Sequence, residues 1–177
     1  MKASVYCTTK TVSQAENIVE QLKLAGFTNN DISALLPDKR GTKDFAHEHN
    51  TKAPEGATAG GVAGLGIGAA LGWLAGIGSL AIPGVGPFIA AGPIMAALGG
   101  AAVGTAAGGV IGALVGMGIP EFEAKRYDEK IKSGNILISV HTEDGKQRGI
   151  AKEIFERNHA DDISTGSEAS APTVKHA

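Results

Sequence analysis

The residues of this chain that could do chemistry include one ligand-like cluster, His47, Glu48 and His49. In an extended segment, alternate side chains point the same way, so the two histidines could share a metal ion. No further histidine or cysteine follows in this polar stretch, which is more typical of a solvated linker. We therefore predict no metal site and no cofactor.

The other reactive side chains have simpler interpretations. Cys7 is the single cysteine and lies in an apolar, strand-like run, so we expect a small core residue in a protein from a reducing compartment. Residues 8–11, Thr-Thr-Lys-Thr, could meet an anion at a helix N-terminus but fit a capped loop better. The acidic pairs at 143–144 and 161–162 fall in loops and caps. No nucleophile, base and orienting group occur together and no phosphate loop appears, so we predict no catalytic residues and no enzyme.

Composition excludes one class of partner. The chain has 177 residues and a formal net charge of −2, so it carries no global basic field that would attract nucleic acid.

The middle of the chain is free of charge from residue 56 to residue 120, and glycine recurs there at every fourth position in two rows. The first row is Gly56, Gly60, Gly64, Gly68, Gly72 and Gly76, and the second is Gly100, Gly104, Gly108, Gly112 and Gly116. Glycine inside a helix costs about 1 kcal/mol in water, whereas in lipid small residues let helices pack closely. The pattern predicts a transmembrane helical hairpin over 56–120 whose helices pack along their glycines.

Segment lengths agree with that prediction. Residues 57–79 and 93–117 each exceed the roughly 20 residues that cross a bilayer. Three prolines and two glycines make residues 80–88 and their flanks a turn. Lysines and arginines flank the block on both sides, which predicts an inner-membrane protein with both termini in the cytoplasm. The alternative is a buried hairpin in a soluble assembly.

The second helix has a further row of small residues beside its glycines, which predicts contact with another copy of the chain. This oligomer interface comprises Ala97, Ala101, Thr105, Gly109 and Ala113.

The flanking segments repeat each other, which indicates a duplication. Ser-Val-Tyr at 4–6 is echoed by Ser-Val-His at 139–141, the stretch from Ala15 by that from Ala151, and Asp-Ile-Ser at 31–33 by 162–164. Tyr6 thereby matches His141. Each copy is predicted as strand, helix and strand, with Ser13 and Glu16 spaced as a capping box for the first helix.

Two such units predict an α+β fold, a ferredoxin-like split βαβ domain with the glycine-rich hairpin inserted between its halves. The predicted segments are a first half (1–37), a polar linker (38–55), the transmembrane hairpin (56–120), a charged surface helix (121–134), a second half (135–164) and a disordered tail (165–177).

A leading Val-Tyr strand, the helix AENIVEQLKLAGF, a DIS strand and the glycine- and alanine-rich block with IPGVGPFIAAGP resemble bacterial general-stress (heat-induced stress) membrane proteins. The resemblance covers most of residues 3–164. A more distant similarity is to the small membrane subunit of alternative quinol-oxidising complexes, which also joins a ferredoxin-like domain to a membrane hairpin. The resemblance implies a stress-associated membrane protein and supplies no catalytic residues.

Three functions follow from these observations. The first is a non-enzymatic inner-membrane protein that binds lipid, forms a homo-oligomer and displays a docking or sensing domain to an unidentified protein partner. The second is a membrane channel or pore, which the scarcity of polar residues in the hairpin disfavours. The third is a ligand-binding regulatory module, by analogy of fold.

Overall fold

The structure is a computed structural model that describes residues 2–37, 78–82, 86–94 and 109–167. The predicted linker (38–55) with its histidine cluster lies outside these residues, as do residues 168–177.

The described chain forms six strands and four helices of an α+β fold. In chain order they are β1 (Ala3–Thr9), α1 (Val12–Leu24), β2 (Ile32–Pro37), β3 (Gly78–Ile82), β4 (Gly86–Ala91), α2 (Val110–Gly116), α3 (Glu121–Lys132), β5 (Ile136–Thr142), α4 (Gly145–Arg157) and β6 (Asp161–Ser167). The strands form one sheet in the order β3-β4-β2-β5-β1-β6, and every neighbouring pair is antiparallel. The predicted α+β class is therefore confirmed.

The duplication seen in the sequence has a counterpart in the strand pairing. β1 and β5 pair about their centres, where Tyr6 lies opposite Ser139. Ser164 of β6 also pairs with Tyr6, and Ser33 of β2 pairs with Ser139. The two Asp-Ile-Ser segments therefore occupy equivalent positions, as their sequences predict. The match of Tyr6 with His141 was wrong, because His141 lies opposite Ser4 and Ser139 is the counterpart of Tyr6.

Both helices of the duplicated halves begin with the same cap. The Gln14 backbone N–H donates to Thr11 Oγ1 at 3.2 Å, and the Gln147 N–H donates to Asp144 Oδ1 at 2.8 Å. Each glutamine side chain accepts a hydrogen bond from the backbone four residues earlier. The predicted cap at Ser13 was wrong, since the N-cap is Thr11, two residues before Ser13, and its side chain accepts the free backbone N–H of Gln14.

The sheet is covered on both faces. On the first face, α1 and α4 pack over residues such as Val5, Ile138 and Val140. On the second face, α2 and α3 pack over Tyr6 and Leu137. Because alternate residues of a strand point to opposite faces, one short strand contributes to both cores.

The predicted membrane turn is a strand hairpin instead. The segments of β3 and β4 occupy most of residues 78–91, and β4 pairs with β2 so that Leu35 lies opposite Ala90. Residues 57–79 are therefore not one continuous helix. Without β4, one edge of β2 would leave its backbone N–H and C=O groups unpaired, and strand pairing satisfies them in a way that a local turn cannot.

This strand hairpin contradicts the predicted transmembrane hairpin, in which two helices cross the membrane and residues 80–88 form the turn on the opposite side. The charge-free block has two long parts outside the described residues, 56–77 and 95–108, and the strands before and after each part belong to one sheet. A single crossing by residues 56–77 would also require the charged residues 38–55 to cross back, which their charges make costly.

The end of the predicted second transmembrane helix (93–117) also differs from the observed structure. Gly109 has φ of +88° and precedes α2, so a straight helix over 93–117 is interrupted there. Val110, Ala113 and Leu114 of α2 are buried in the core on the second face of the sheet.

The outer segments were predicted nearly correctly. The expected helix at 121–134 is α3, but it is not only a surface helix, because Ala124, Tyr127 and Ile131 are buried. The tail does not begin at residue 165, because β6 continues to Ser167, which lies opposite Ala3.

Candidate functional site

The described residues contain one dense group of polar side chains, between α3 and the edge strand β6. We call it the α3–β6 cluster; its members are Thr8, Arg126, Tyr127, Lys130, Asp162 and Ser164. α3 supplies three of these side chains because positions 126, 127 and 130 share one side of a helix.

Tyr127 lies at the centre of the α3–β6 cluster and is 1% exposed. Its hydroxyl donates to the backbone carbonyl of Asp162 at 2.8 Å and lies 2.6 Å from Ser164 Oγ. A phenol has one proton to donate, so the Ser164 hydroxyl is the donor of the second bond. Burial raises the pKa of Tyr127 to about 12, above the ordinary value for a phenol.

Asp162 carries the negative charge of the α3–β6 cluster. Its carboxylate accepts a hydrogen bond from Thr8 Oγ1 at 3.1 Å, pairs with Arg126, and lies 3.4 Å from Lys130 Nζ. Partial burial raises the pKa of Asp162, but the hydrogen bond from Thr8 and the charges of Arg126 and Lys130 outweigh it, so its pKa lies below the ordinary value. Asp162 also has φ of +51°, a left-handed conformation that Asp tolerates better than most residues.

The cations around the α3–β6 cluster are paired with carboxylates. On α3, Lys125 lies 2.7 Å from Glu121 and Lys132 lies 2.6 Å from Asp128. At the neighbouring strand end, Lys10 lies 2.9 Å from Asp161. These three pairs lie within α3 or within the sheet and leave little uncompensated positive charge on this side of the domain; the pairs of Arg126 and Lys130 with Asp162 are the ones that join α3 to the sheet.

The reactive residues named from the sequence have structural roles where they are described. Cys7 is fully buried in the core of the first face, as predicted, and burial raises the pKa of its thiol well above the ordinary value. No group of three histidine, cysteine or acidic side chains that could hold a metal occurs within residues 2–37, 78–82, 86–94 and 109–167. The histidines at 47 and 49 lie outside those ranges.

The predicted packing residues fall mostly outside the described chain. Those outside are Gly60, Gly64, Gly68, Gly72, Gly76, Gly100, Gly104, Gly108, Ala97, Ala101 and Thr105. Of the rest, Gly112 and Gly116 lie in α2, and a Cβ added at Gly116 would meet no described atom within 4 Å. Ala113 was predicted at an oligomer interface, but it is 2% exposed and packs within its own chain.

Sequence reasoning missed the α3–β6 cluster. A signal was present, since Ala124, Tyr127 and Ile131 form an apolar stripe on an otherwise charged helix. That stripe predicts burial of Tyr127. It does not identify Asp162 and Ser164 as its partners, because they lie some 35 residues further along the chain.

A second feature is the point where the charge-free chain joins the sheet. Gly78 lies opposite Ala90 in the β3–β4 hairpin, so the chain enters β3 beside the end of β4. After β4, Gly92 turns with φ of +74°, and the Ile94 N–H donates to Ser33 Oγ at 3.2 Å. Gly78 and Gly92 therefore lie at the same end of the hairpin.

In the part of the chain that the structure describes, none of the helices combines the length and the apolar character that a bilayer crossing requires. The longest, α1 and α4, have 13 residues each and carry charged side chains.

Comparison with protein-family models, with curated proteins and with solved structures finds no match to this chain.

Proposed function

We propose that this chain is a non-enzymatic, stress-associated protein bound to the cytoplasmic face of a bacterial inner membrane, where it displays a small docking or sensing domain. Its charge-free segments, 56–77 and 95–108, would enter the lipid from one side and return to the same side. The observation that supports the proposal is the pairing of Gly78 with Ala90, because the chain leaves the described hairpin toward both segments from this end.

The proposal includes a ferredoxin-like core. The strand order β2-β5-β1-β6, antiparallel throughout, is the order expected from two split βαβ units. The helices α1 and α4 contribute to the same core on one face of those strands, which also supports the assignment. Residues 38–134 are then an insertion whose β3 and β4 extend the sheet and whose α3 covers its other face.

Segment length favours entry from one side over two crossings. Residues 95–108 number fourteen, about 21 Å as a helix, against a hydrocarbon core of about 30 Å. Residues 56–77 are long enough to cross, but the charged linker before them starts from β2 on the same side. Re-entrant or in-plane insertion satisfies both constraints.

The proposed homo-oligomer uses a smaller surface than the sequence suggested. Ala113 packs inside its own chain, which leaves Ala97, Ala101, Thr105 and Gly109 as the proposed contact. Leucine at Ala101 or Thr105 is expected to abolish crosslinked oligomers while leaving membrane association intact.

Cell fractionation combined with cysteine labelling tests the proposal. Cys7 is fully buried, so the parent chain should react poorly and serve as a blank. Gly84→Cys places a thiol between β3 and β4, and Ser13→Cys places one on the exposed start of α1. We expect both variants in the membrane fraction, resistant to high salt, and labelled by an impermeant maleimide only after the inner membrane is opened.

Two results would contradict this proposal. Recovery of the chain in the soluble fraction would exclude its association with the membrane. Labelling of Gly84→Cys from the periplasmic side of intact cells, with Ser13→Cys protected, would restore the two-span hairpin and exclude the one-sided arrangement.

A further inference from the structure

The turn between α2 and α3 exposes large apolar side chains. Among the described residues, the exposed large hydrophobic side chains are Leu24, Val115 and Phe122. Phe122 is 76% exposed and Val115 is 42% exposed, and they flank the turn at 117–120. Leu24 lies at the end of α1, far along the chain from this turn.

The turn is built so that these side chains cannot reach the core. Pro120 caps α3 without a side-chain hydrogen bond, and the buried side of α3 consists of Ala124, Tyr127, Asp128 and Ile131. Phe122 lies two residues before Ala124, which places it well away from that side of the helix. The α3–β6 cluster holds α3 in this orientation, so Phe122 stays exposed.

The surroundings of Phe122 are apolar or charge-compensated except at Glu123, whose carboxylate forms no ion pair within the part of the chain that the structure describes. No charged residue occurs from 109 to 120. The first charge, Glu121, is paired with Lys125, and Arg126 and Lys130 are paired with Asp162. Such a surface has little electrostatic attraction for an acidic partner and suits an apolar one.

We propose that the α2–α3 turn, with Phe122 and Val115, inserts into the boundary between lipid headgroups and acyl chains. This inference rests on the proposed membrane association of the charge-free segments. The chain leads directly from residues 95–108 into α2, and seven helical residues span only about 10 Å, so Val115 lies close to the end of that segment. Aromatic side chains are enriched at this depth of a bilayer.

Three single-tryptophan proteins test the inference in the full-length chain. The parent has only Trp73, which reports on the charge-free segment 56–77. Phe122→Trp in a Trp73→Phe background reports on the α2–α3 turn. Leu24→Trp in the same background is the matched control at an exposed apolar position on α1.

Each protein is reconstituted in phosphatidylcholine vesicles and exposed in turn to lipid brominated near the headgroup end of its acyl chains and to aqueous iodide. We expect the tryptophan at position 122 to lose most of its fluorescence with brominated lipid and little with iodide, and the one at position 24 to do the reverse. Because the turn carries little net charge, added salt or phosphatidylglycerol should change neither result.

The outcomes separate this inference from the proposed function. Quenching of Trp73 by brominated lipid, with position 122 accessible to iodide, would overturn the inference and leave membrane association standing. Quenching of position 122 without Trp73 would support the inference and contradict insertion of segment 56–77. Protection of position 122 from both quenchers would show that protein covers the turn, such as a second copy, and would also overturn the inference.

Discussion

The hydroxyl of Tyr127 on α3 donates a hydrogen bond to the carbonyl of Asp162 on β6 across 2.8 Å. The bond joins α3 to β6, a strand at the edge of the sheet. The ring beneath it is stacked at a tilt against Tyr6, with centroids 6.2 Å apart. One side chain therefore links α3, the inner strand β1 and the edge strand β6.

Removing that hydroxyl should loosen α3 from the sheet. Tyr127→Phe leaves the Asp162 carbonyl and the Ser164 hydroxyl without their partner, so we expect a loss of about 1–2 kcal/mol in the free energy of unfolding, measured in urea. Ser164→Ala removes the other member of the pair. If the two hydroxyls interact, the double variant should lose less than the two single losses added; simple additivity would contradict a direct bond.

Acid should weaken the same junction. The pKa of Asp162 is lowered on folding by Thr8, Arg126 and Lys130 against the effect of burial, so its stabilising contribution is present above the unfolded pKa of about 4 and is lost as pH falls through the folded pKa. Asp162→Asn keeps the left-handed backbone accessible but removes the charge. We expect the variant to be less stable than the parent by about 1–2 kcal/mol at pH 7, with a gap that narrows steadily below about pH 4.

The control for this pH series is Asp31→Asn, at the equivalent position of the first half. No ion pair occurs at Asp31 among those the structure describes, and its carboxylate accepts from Thr28. A parent-to-variant gap for Asp162→Asn that stays constant from pH 7 to pH 3 would show that the charge contributes nothing.

Three glycine-to-alanine changes test the turn that joins β4 to the chain beyond it. At Gly92, φ is +74° and a Cβ would lie 2.0 Å from the Ile32 carbonyl oxygen, so Gly92→Ala should cost about 3 kcal/mol or more. Gly26 also has positive φ but open space around it, so Gly26→Ala should cost about 1–2 kcal/mol. Gly116→Ala, in open space at the end of α2, should be close to neutral. Equal costs at Gly92 and Gly26, measured by urea unfolding, would mean that β4 does not dock against β2 as described.

Adjacent residues of α2 should differ sharply in their contribution to stability. Leu114 is fully buried beneath α3, whereas Val115 is 42% exposed. We expect Leu114→Ala to cost about 2–4 kcal/mol and Val115→Ala about 0.5 kcal/mol or less, since only the first leaves a cavity. Urea unfolding of the detergent-solubilised chain measures both. Similar small losses of stability at the two positions would show that α2 lies outside the core, as the predicted transmembrane hairpin requires.

The successes of sequence reasoning are local in origin. The apolar stripe through Ile18, Val19 and Leu22 predicts α1, and alternation at Ile136, Ile138 and Val140 predicts β5. Even so, the predicted cap is Ser13 and the observed cap is Thr11, because Thr11 with Gln14 and Ser13 with Glu16 both have the spacing of a capping box. Element boundaries depend on which of several adequate local partners the packed structure uses.

The failures come from the charge-free block. Glycine at every fourth position is the spacing of a helix face, and that pattern predicted helices continuing through Ser79 and Gly109. Short apolar runs broken by Pro83 and Pro87 are compatible with strands as well as with a turn, and periodicity cannot separate the two. The segments of β3 and β4 are strands because β4 pairs with β2, and no local sequence pattern predicts that pairing.

By itself, the sequence determined the α+β class, the duplication of strand, helix and strand, and the burial of Cys7, since each follows from local periodicity or from similarity between segments. Only the tertiary structure decided that β3 and β4 join the sheet, that Ala113 packs inward and that Tyr127 bonds to Asp162. These contacts join residues distant along the chain, where hydrogen-bond pairing and close packing choose among partners that look alike in sequence.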